Sequence, residues 1–409
     1  MGGALTHRRE LLRFLAASPL LAGSEALAQV ERLPDPMVWA PRQLDKPIDS
    51  PRDALDVFDF EIAAHKNVPP AHFGYLASGV DDEVTLRANR EGFLKFQLMP
   101  RRLIDVSSID TRMELFGENW GSPIVIAPTG SNRAFHEDGE IAVARAARRG
   151  NHLQMLSTVA TTSIEAAIAA RGKPVWFQLY PTDRWDVAEA LATRADKAGA
   201  GAIVVTVDVI ARQNWETLAR MIRMDTRECS ACHQRSMASF LRRKPNFDGI
   251  DGTGLTTTGH ASLTWAFIKR LRDTVKTKIL VKGLVTAADA RLAIANGLDG
   301  IVVSNHGGRT EDSGRSTIDA LPEVVEAVGG KLPIIVDSGF RRGTDIVKAL
   351  AMGASAVAVG RPYLWGLGAF GQAGVERVLE ILQGELRSVM MQMGAPTLKD
   401  LVPQMVRRA

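Results

Sequence analysis

The sequence predicts an α/β fold: a (β/α)8 TIM barrel with an N-terminal helical extension and a long insertion after the fourth strand. Three observations predict it: eight short apolar runs recur along the chain, Ala-rich helical stretches separate most of them, and polar residues cluster where the runs end. The runs lie at 124–128 (IVIAP), 152–157 (HLQMLS), 175–180 (VWFQLY), 202–208 (AIVVTVD), 278–283 (KILVKG), 300–306 (GIVVSNH), 333–339 (PIIVDSG) and 356–362 (AVAVGRP). Continuous apolar runs of this length suit strands buried on both faces, as parallel strands are. The helical stretches include Gly139–Arg149, Ser163–Ala170, Arg184–Ala198, Ala287–Asn296 and Thr344–Met352. Eight strands alternating with helices argue for a closed barrel over an open doubly wound sheet. No glycine fingerprint of the dinucleotide-binding type follows the first run, which weakens the open sheet further.

The flanks and the insertion read differently. The chain has 409 residues, 45% of them hydrophobic, enough for one large core. A net charge of +4 is dispersed, with no basic block interleaved with aromatics, and speaks against nucleic acid as a partner. Residues 1–28 carry Arg8-Arg9, the apolar run Leu11 to Ala22 and Ala26-Leu27-Ala28 before Gln29. That order is an export signal of the twin-arginine type, which places the mature protein in the periplasm; the alternative is a short amphipathic leader that stays attached. No stretch is apolar for long enough to span a membrane. Residues 29–52, with Pro34, Pro36, Pro41, Pro47 and Pro51, read as an extended linker, and 53–409 as the barrel domain. Asp53 to Phe96 is helical in pattern, with a break at Pro69-Pro70. Residues 217–262 are too many for one crossover helix and read as an insertion on the active-site face.

Barrels of this kind work at the carboxyl ends of their strands. Here those ends hold Thr129, Ser157, Gln178, Tyr180, Asp208, Lys282, His306 with Arg309, Asp337 and Arg361. A ring of charged and hydrogen-bonding groups at one mouth predicts a site. The last two runs end in DSGFRRGTD (Asp337–Asp345) and GRP (Gly360–Pro362). Glycines let backbone N–H groups approach a phosphate and arginines neutralise it, at the place where barrels often bind one; two ordinary glycine turns are the alternative. SNHGGRTED (Ser304–Asp312) is the sharpest local signal. His306 can take a proton near neutral pH, and Arg309 can grip a carboxylate beside it. Asp208, from another strand end, can orient the imidazole and stabilise its protonated form.

These residues sit in longer motifs: YLASGVDDEVTLRANR (Tyr75–Arg90), IAPTG (Ile126–Gly130), FQLY (Phe177–Tyr180), TVD (Thr206–Asp208), LVKG (Leu280–Gly283), SNHGGR and DSGFRRGTD. In that order they resemble the FMN-dependent 2-hydroxy-acid oxidases and dehydrogenases, from about Asp53 to Leu401. The resemblance implies FMN as cofactor and oxidation of an L-2-hydroxy acid to the 2-oxo acid, with electrons passed to oxygen, a quinone or a cytochrome. It implies His306 as the base, acting on the hydroxyl-bearing carbon or the hydroxyl, with Asp208 as its partner. Tyr75 and Arg309 would bind the substrate carboxylate, and Tyr180 would face its hydroxyl. Lys282 would lie near the N1–C2=O edge of the flavin. Thr129, Gly130, Ser157, Gln178 and Thr206 would hold the isoalloxazine, and Ser304 would help to position it. Asp337, Gly339, Arg341, Gly360 and Arg361 would hold the ribityl phosphate end. The family also suggests a homotetramer.

Two features depart from the family. Where it has Gly-Arg-Arg-Glu after the fourth strand, this chain has ARQNWE (Ala211–Glu216), with Trp215 in place of the second Arg and Arg212 nearby in sequence. A neutral aromatic cannot replace a guanidinium fork. The change predicts a weaker carboxylate clamp or a larger, more apolar substrate, and leaves as alternatives a flavin oxidoreductase for a modified substrate or a non-catalytic flavin or haem electron-transfer module. The presence of His306, Asp208 and Arg309 argues against the last. The insertion carries Cys229-Ser230-Ala231-Cys232-His233, the pattern of c-type haem attachment, on the only two cysteines of the chain. A disulfide or free thiols stand ahead of haem c here, because the motif has no cytochrome domain around it. No metal site is expected.

Overall fold

A computed structural model describes residues 47–210, 213–227 and 236–409. The eight runs form the eight strands of one parallel sheet: β1 (Ile124–Ile126), β2 (Met155–Ser157), β3 (Trp176–Leu179), β4 (Ala202–Thr206), β5 (Lys278–Leu284), β6 (Gly300–Val303), β7 (Ile334–Val336) and β8 (Ala356–Val359). From β2 onward each strand pairs with the next, and β8 pairs with β1. The ring closes between β1 and β2 through the bridge Ile126↔Gln154, where the Ile126 N–H donates to the Leu153 carbonyl at 2.8 Å.

The strand sequences are apolar throughout because both faces are packed. Val125, Ala202, Val204, Leu280, Val302, Ile335, Ala356 and Ala358 fill the barrel. Their neighbours Ile124, Ile126, Ile203, Val205, Ile279, Val281, Ile301 and Val303 face the helices. An antiparallel hairpin, Met113–Leu115 with Glu118–Trp120, adds Met113, Leu115 and Trp120 to the interior and closes the amino end of the barrel. Its two-residue turn is Phe116-Gly117, φ 55° and 81°, a primed turn that matches strand twist.

The extension folds as α1 (Phe58–Asn67), α2 (Pro70–Ala77) and α3 (Val84–Glu91), with the break at Pro69-Pro70 where expected. The outer helices include α4 (Gly139–Arg149), α5 (Ile164–Arg171) and α6 (Trp185–Lys197). The interval after β4 is more structured than a loop. It holds α7 (Glu216–Met224), α8 (Met237–Leu241) and a 3-10 turn at Pro245–Phe247, and α7 packs on α2. Next come α9 (Trp265–Thr274), α10 (Ala287–Ala295), α11 (Thr317–Val328), α12 (Gly343–Ala351) and α13 (Arg361–Met393), kinked at Phe370-Gly371. Ser163, Thr286 and Ser316 cap α5, α10 and α11 with their hydroxyls. The chain ends in Val406–Arg408, antiparallel to Phe96–Leu98.

Residues 1–28, most of the 29–52 segment, Arg212, Cys229, Cys232 and His233 lie outside the described residues. Among the described residues no helix is long and apolar enough to cross a membrane.

Candidate active site

The carboxyl ends of the strands surround a cleft of about 780 Å³, open to solvent. Tyr75, Thr129, Gly130, Tyr180, Lys282, His306, Arg309, Asp337, Gly339, Arg341, Gly360 and Arg361 all line it. The other expected site residues stand behind this lining. Asp208 touches His306, Trp215 touches Arg309, and the Ser304 hydroxyl accepts from both Lys282 Nζ (2.9 Å) and the His306 N–H (3.0 Å). Ser157, Gln178 and Thr206 form a buried relay: Ser157 Oγ donates to Gln178 Oε1 at 3.1 Å, and Gln178 Nε2 donates to Thr206 Oγ1 at 2.9 Å.

His306 has a left-handed backbone, φ 57°, followed by Gly307 and Gly308 at positive φ. That tight turn after β6 aims the imidazole across the cleft. Its Nδ1 lies 3.0 Å from Asp208 Oδ1, and its Nε2 lies 3.5 Å from the Tyr180 hydroxyl. Room for Asp208 comes from a bulge in β5 at Gly283 (φ 115°), where an added Cβ would fall 2.8 Å from the Asp208 Cβ. Burial, then the charge of Lys282, holds the imidazole below its ordinary value against the pull of Asp208. For Asp208, burial acts upward, but His306 and Lys282 outweigh it and hold the carboxyl below its usual range. The resting pair is therefore a carboxylate and a neutral imidazole. With Nδ1–H given to Asp208, Nε2 carries its lone pair toward Tyr180. Burial, then the nearby Tyr75 and Asp208, raises the Tyr180 phenol well above its ordinary value, so it stays protonated.

Across the cleft the cations gather. Arg309 Nη1 donates to Tyr75 O (2.6 Å), Ser78 O (2.9 Å) and Ser78 Oγ (3.1 Å), while Nη2 is buried with no partner among the described residues. Arg361 donates to Leu76 O, Ser78 O and Gly307 O. Among the described residues the Arg341 guanidinium donates only to Phe340 O and stacks on Trp365 at 4.6 Å, while its backbone N–H donates to Asp345 Oδ2 at 2.9 Å. Burial, then the like charges of Arg90 and Arg361, pushes the Arg341 guanidinium down to about 9. Burial, then Arg309, pushes Arg361 down to about 10. Buried guanidinium groups that repel one another are short of an anion, and a bound phosphate would supply it. Gly339 (φ 93°) lets the loop after β7 press on α3, since a Cβ there would sit 2.1 Å from Asn89 O. A Cβ added at Gly360 would meet its nearest described neighbour, Thr129 Oγ1, only at 3.9 Å, and Gly360 lines the cleft, so its backbone lies open there. These features fit a phosphate at the β7–β8 end, as the glycine and arginine pattern predicts.

Leu76, Val159, Ser338, Phe340 and Leu364 also line the cleft and were not singled out from the sequence. Ser338 could have been, because it sits inside DSGFRRGTD; its hydroxyl donates to Asp337 Oδ1 at 2.6 Å and accepts from the Gly307 N–H at 3.0 Å. Nothing local marks Val159 or Leu364. Among the described residues no group of three or more His, Cys, Asp or Glu could hold a metal ion.

A barrel with a His–Asp pair facing a guanidinium group, and a glycine- and arginine-rich loop end that fits a phosphate beside them, is the arrangement of a class of cofactor-using oxidoreductase. The sequence model of the family described as FMN-dependent dehydrogenase matches residues 64–408. An L-lactate oxidase of Lysinibacillus sphaericus is 40% identical over 348 residues, covering 84% of this chain and 90% of the relative. Glycolate oxidase 1 of Zea mays is 40% identical over 362 residues, covering 85% and 94%. The crystal structure of a soluble mutant of the membrane-associated (S)-mandelate dehydrogenase of Pseudomonas putida superposes with a TM-score of 0.80 at 35% identity, covering 87% of this chain and all of that one. The chain belongs to the FMN-dependent dehydrogenase family, whose members oxidise 2-hydroxy acids.

Proposed function

We propose that this protein oxidises an L-2-hydroxy acid to the 2-oxo acid, with His306 as the base. The observation that carries this is His306, backed by Asp208, lining one cleft with Arg309, whose Nη2 has no partner among the described residues. When bound, FMN supplies the acceptor for the substrate's electron pair. The residues do the rest. Arg309 and Tyr75 hold the carboxylate. Tyr180, a phenol near His306 Nε2, orients the hydroxyl. His306 takes the proton at Nε2, and Asp208 stabilises the imidazolium that forms. Lys282, held by Ser304 and 3.5 Å from Asp337, places a buried positive charge at the cleft floor, where it would face the N1–C2=O edge. Thr129, Gly130 and the Ser157–Gln178–Thr206 relay would seat the ring. Arg341, with Asp337, Gly339 and Gly360, would hold the phosphate end, and Arg361 would add charge while bracing α2.

The test is the visible spectrum of the holoenzyme before and after L-lactate and L-mandelate. The flavin band should bleach with at least one of them. His306→Ala should keep FMN and slow bleaching by about 10²–10⁴-fold. A variant that bleaches at the wild-type rate would remove His306 from the chemistry. A second reading, a larger or more apolar substrate, is favoured by Trp215 beside Arg309 and would show as a preference for mandelate over lactate.

Export and electron acceptor complete the proposal. The leader at 1–28 supports a periplasmic protein whose mature chain begins at Gln29, checked by N-terminal sequencing of the secreted form. That compartment favours a quinone or cytochrome over oxygen as acceptor. Cys229 and Cys232 are read as a disulfide or free thiols, and a haem band that survives acid–acetone extraction would establish haem c instead. A homotetramer is the expected assembly, read by light scattering.

A further inference from the structure

Arg309 is held in an unusual way. Its guanidinium carbon lies 4.4 Å from the centre of the Tyr75 ring and 4.7 Å from that of Trp215. The two rings stand 6.1 Å apart at 90°, so they form a corner around the cation. Trp215 also donates its indole N–H to the carbonyl of Arg309 itself at 3.0 Å. One side chain thus touches both the head and the backbone of the same arginine. Tyr75 and Arg309 line the cleft, whereas Trp215 stands behind them.

Trp215 is itself well placed to impose geometry. It is the residue before α7, and its neighbours pin that helix start to the loop after α2. Asn214 O accepts from the Asp81 N–H at 3.0 Å, Asn214 Nδ2 donates to Asp81 Oδ1 at 3.2 Å, and Thr217 Oγ1 donates to Glu83 Oε1 at 2.7 Å. With Nη1 committed to three acceptors and the rings packed around the guanidinium, the Nε–Nη2 edge, which makes no hydrogen bond among the described residues, is left for an incoming anion. Arg361, the adjacent cation, spends its guanidinium on three backbone carbonyls.

We propose that Trp215 is a positioning residue that sets the Arg309 edge on which a substrate carboxylate binds, and so selects 2-hydroxy acids over their neutral amides through a single guanidinium edge. This rests on the reading that the cleft takes a 2-hydroxy acid. The physical basis is the attraction between a desolvated cation and an aromatic face, together with the backbone hydrogen bond that keeps Arg309 from swinging. Loss of such a face is felt at about tenfold in affinity.

The experiment titrates the FMN-loaded protein with benzoylformate and with its amide, and reads binding from the change in flavin absorbance, which needs no turnover. Trp215→Ala should weaken benzoylformate by about tenfold while the amide loses little, with FMN retention unchanged. Trp215→Phe keeps a ring face and loses the N–H, and should weaken the acid by about threefold, again sparing the amide. Equal losses for acid and amide would make Trp215 a mere packing residue and overturn the proposal, as would no loss for either. If Trp215→Ala does not fold, the acid-selective loss in Trp215→Phe decides. Wild-type protein that binds benzoylformate yet is bleached by no 2-hydroxy acid would end the proposed activity and leave this inference standing. Wild-type protein that binds the amide as tightly as the acid would overturn the inference.

Discussion

His306 and Asp208 show how neighbouring charges tune a base. Burial and Lys282 push the imidazole down, Asp208 pushes it up, and the first pair wins. A base works when neutral, so the rate of substrate-dependent flavin bleaching should rise with pH through a limb below 6.5, the ordinary value, and then level off. Asp208→Asn removes the carboxylate that opposes that shift. The limb should then move to still lower pH, while the plateau falls because nothing stabilises the imidazolium. Stopped-flow bleaching from pH 4.5 to 8 checks both, and a limb that moved upward in Asp208→Asn would assign the titration to another group. The pair was legible in the sequence because His306 and Asp208 both end apolar runs. Its depressed imidazole was not, because that depends on burial and on Lys282 approaching from a third strand.

At the level of elements, α3 holds the site together. Asn89 and Asn305 exchange amide hydrogen bonds at 2.9 and 2.8 Å, and Asn305 Oδ1 also accepts from the Gly308 N–H at 3.2 Å. One residue on, Arg90 donates to Gly339 O and pairs with Asp345 at 2.7 Å. A two-turn helix of the extension thus braces the His306 turn and the expected phosphate loop at once. Asn89→Ala would leave the buried Asn305 amide short of partners, at about 1–3 kcal/mol. It should lower the melting temperature and weaken FMN binding together, read by thermal unfolding and by flavin release. Glu91→Ala, on the exposed side of the same helix, should change neither by more than about 0.5 kcal/mol. If Asn89→Ala retains FMN as the parent does, α3 packs on the barrel without bracing the site. The motif Tyr75–Arg90 stood out in the sequence, but the role of Asn89 did not, since its partner lies 216 residues away. The helices α7 and α8 were likewise missed: Trp215, Leu218, Met221 and Ile222 recur at helical spacing but over only nine residues of helix, and α8 is five residues long.

Across the whole molecule, the barrel was legible because its strands are apolar on both faces, while the hairpin that closes its amino end was not. Glu114, Glu118 and Asn119 make those three-residue strands look like a loop. That end also holds a group with a global consequence. His152 is buried just ahead of β2, its Nδ1 3.0 Å from Ser122 Oγ just ahead of β1, and its carbonyl accepts from Arg171 Nε and Nη2 at 3.2 and 2.9 Å. These are the two strands whose pairing closes the barrel, at Ile126 and Gln154. Burial, with the charge of Arg171 adding to it, pulls the imidazole from 6.5 down to about 4. Between those values the unfolded chain binds a proton that the folded chain refuses, so stability rises with pH across that window and is constant above it. The whole effect is about 3 kcal/mol, lost as pH falls from 6.5 toward 4. Other groups, carboxylates above all, also titrate there, so the informative quantity is a difference. His152→Gln keeps a polar side chain of similar reach and cannot take up the proton. Its melting temperature should lie below the parent's at pH 7.5 and converge on it by pH 4.5. Parallel melting curves at every pH would show that the seam between β1 and β2 does not respond to His152.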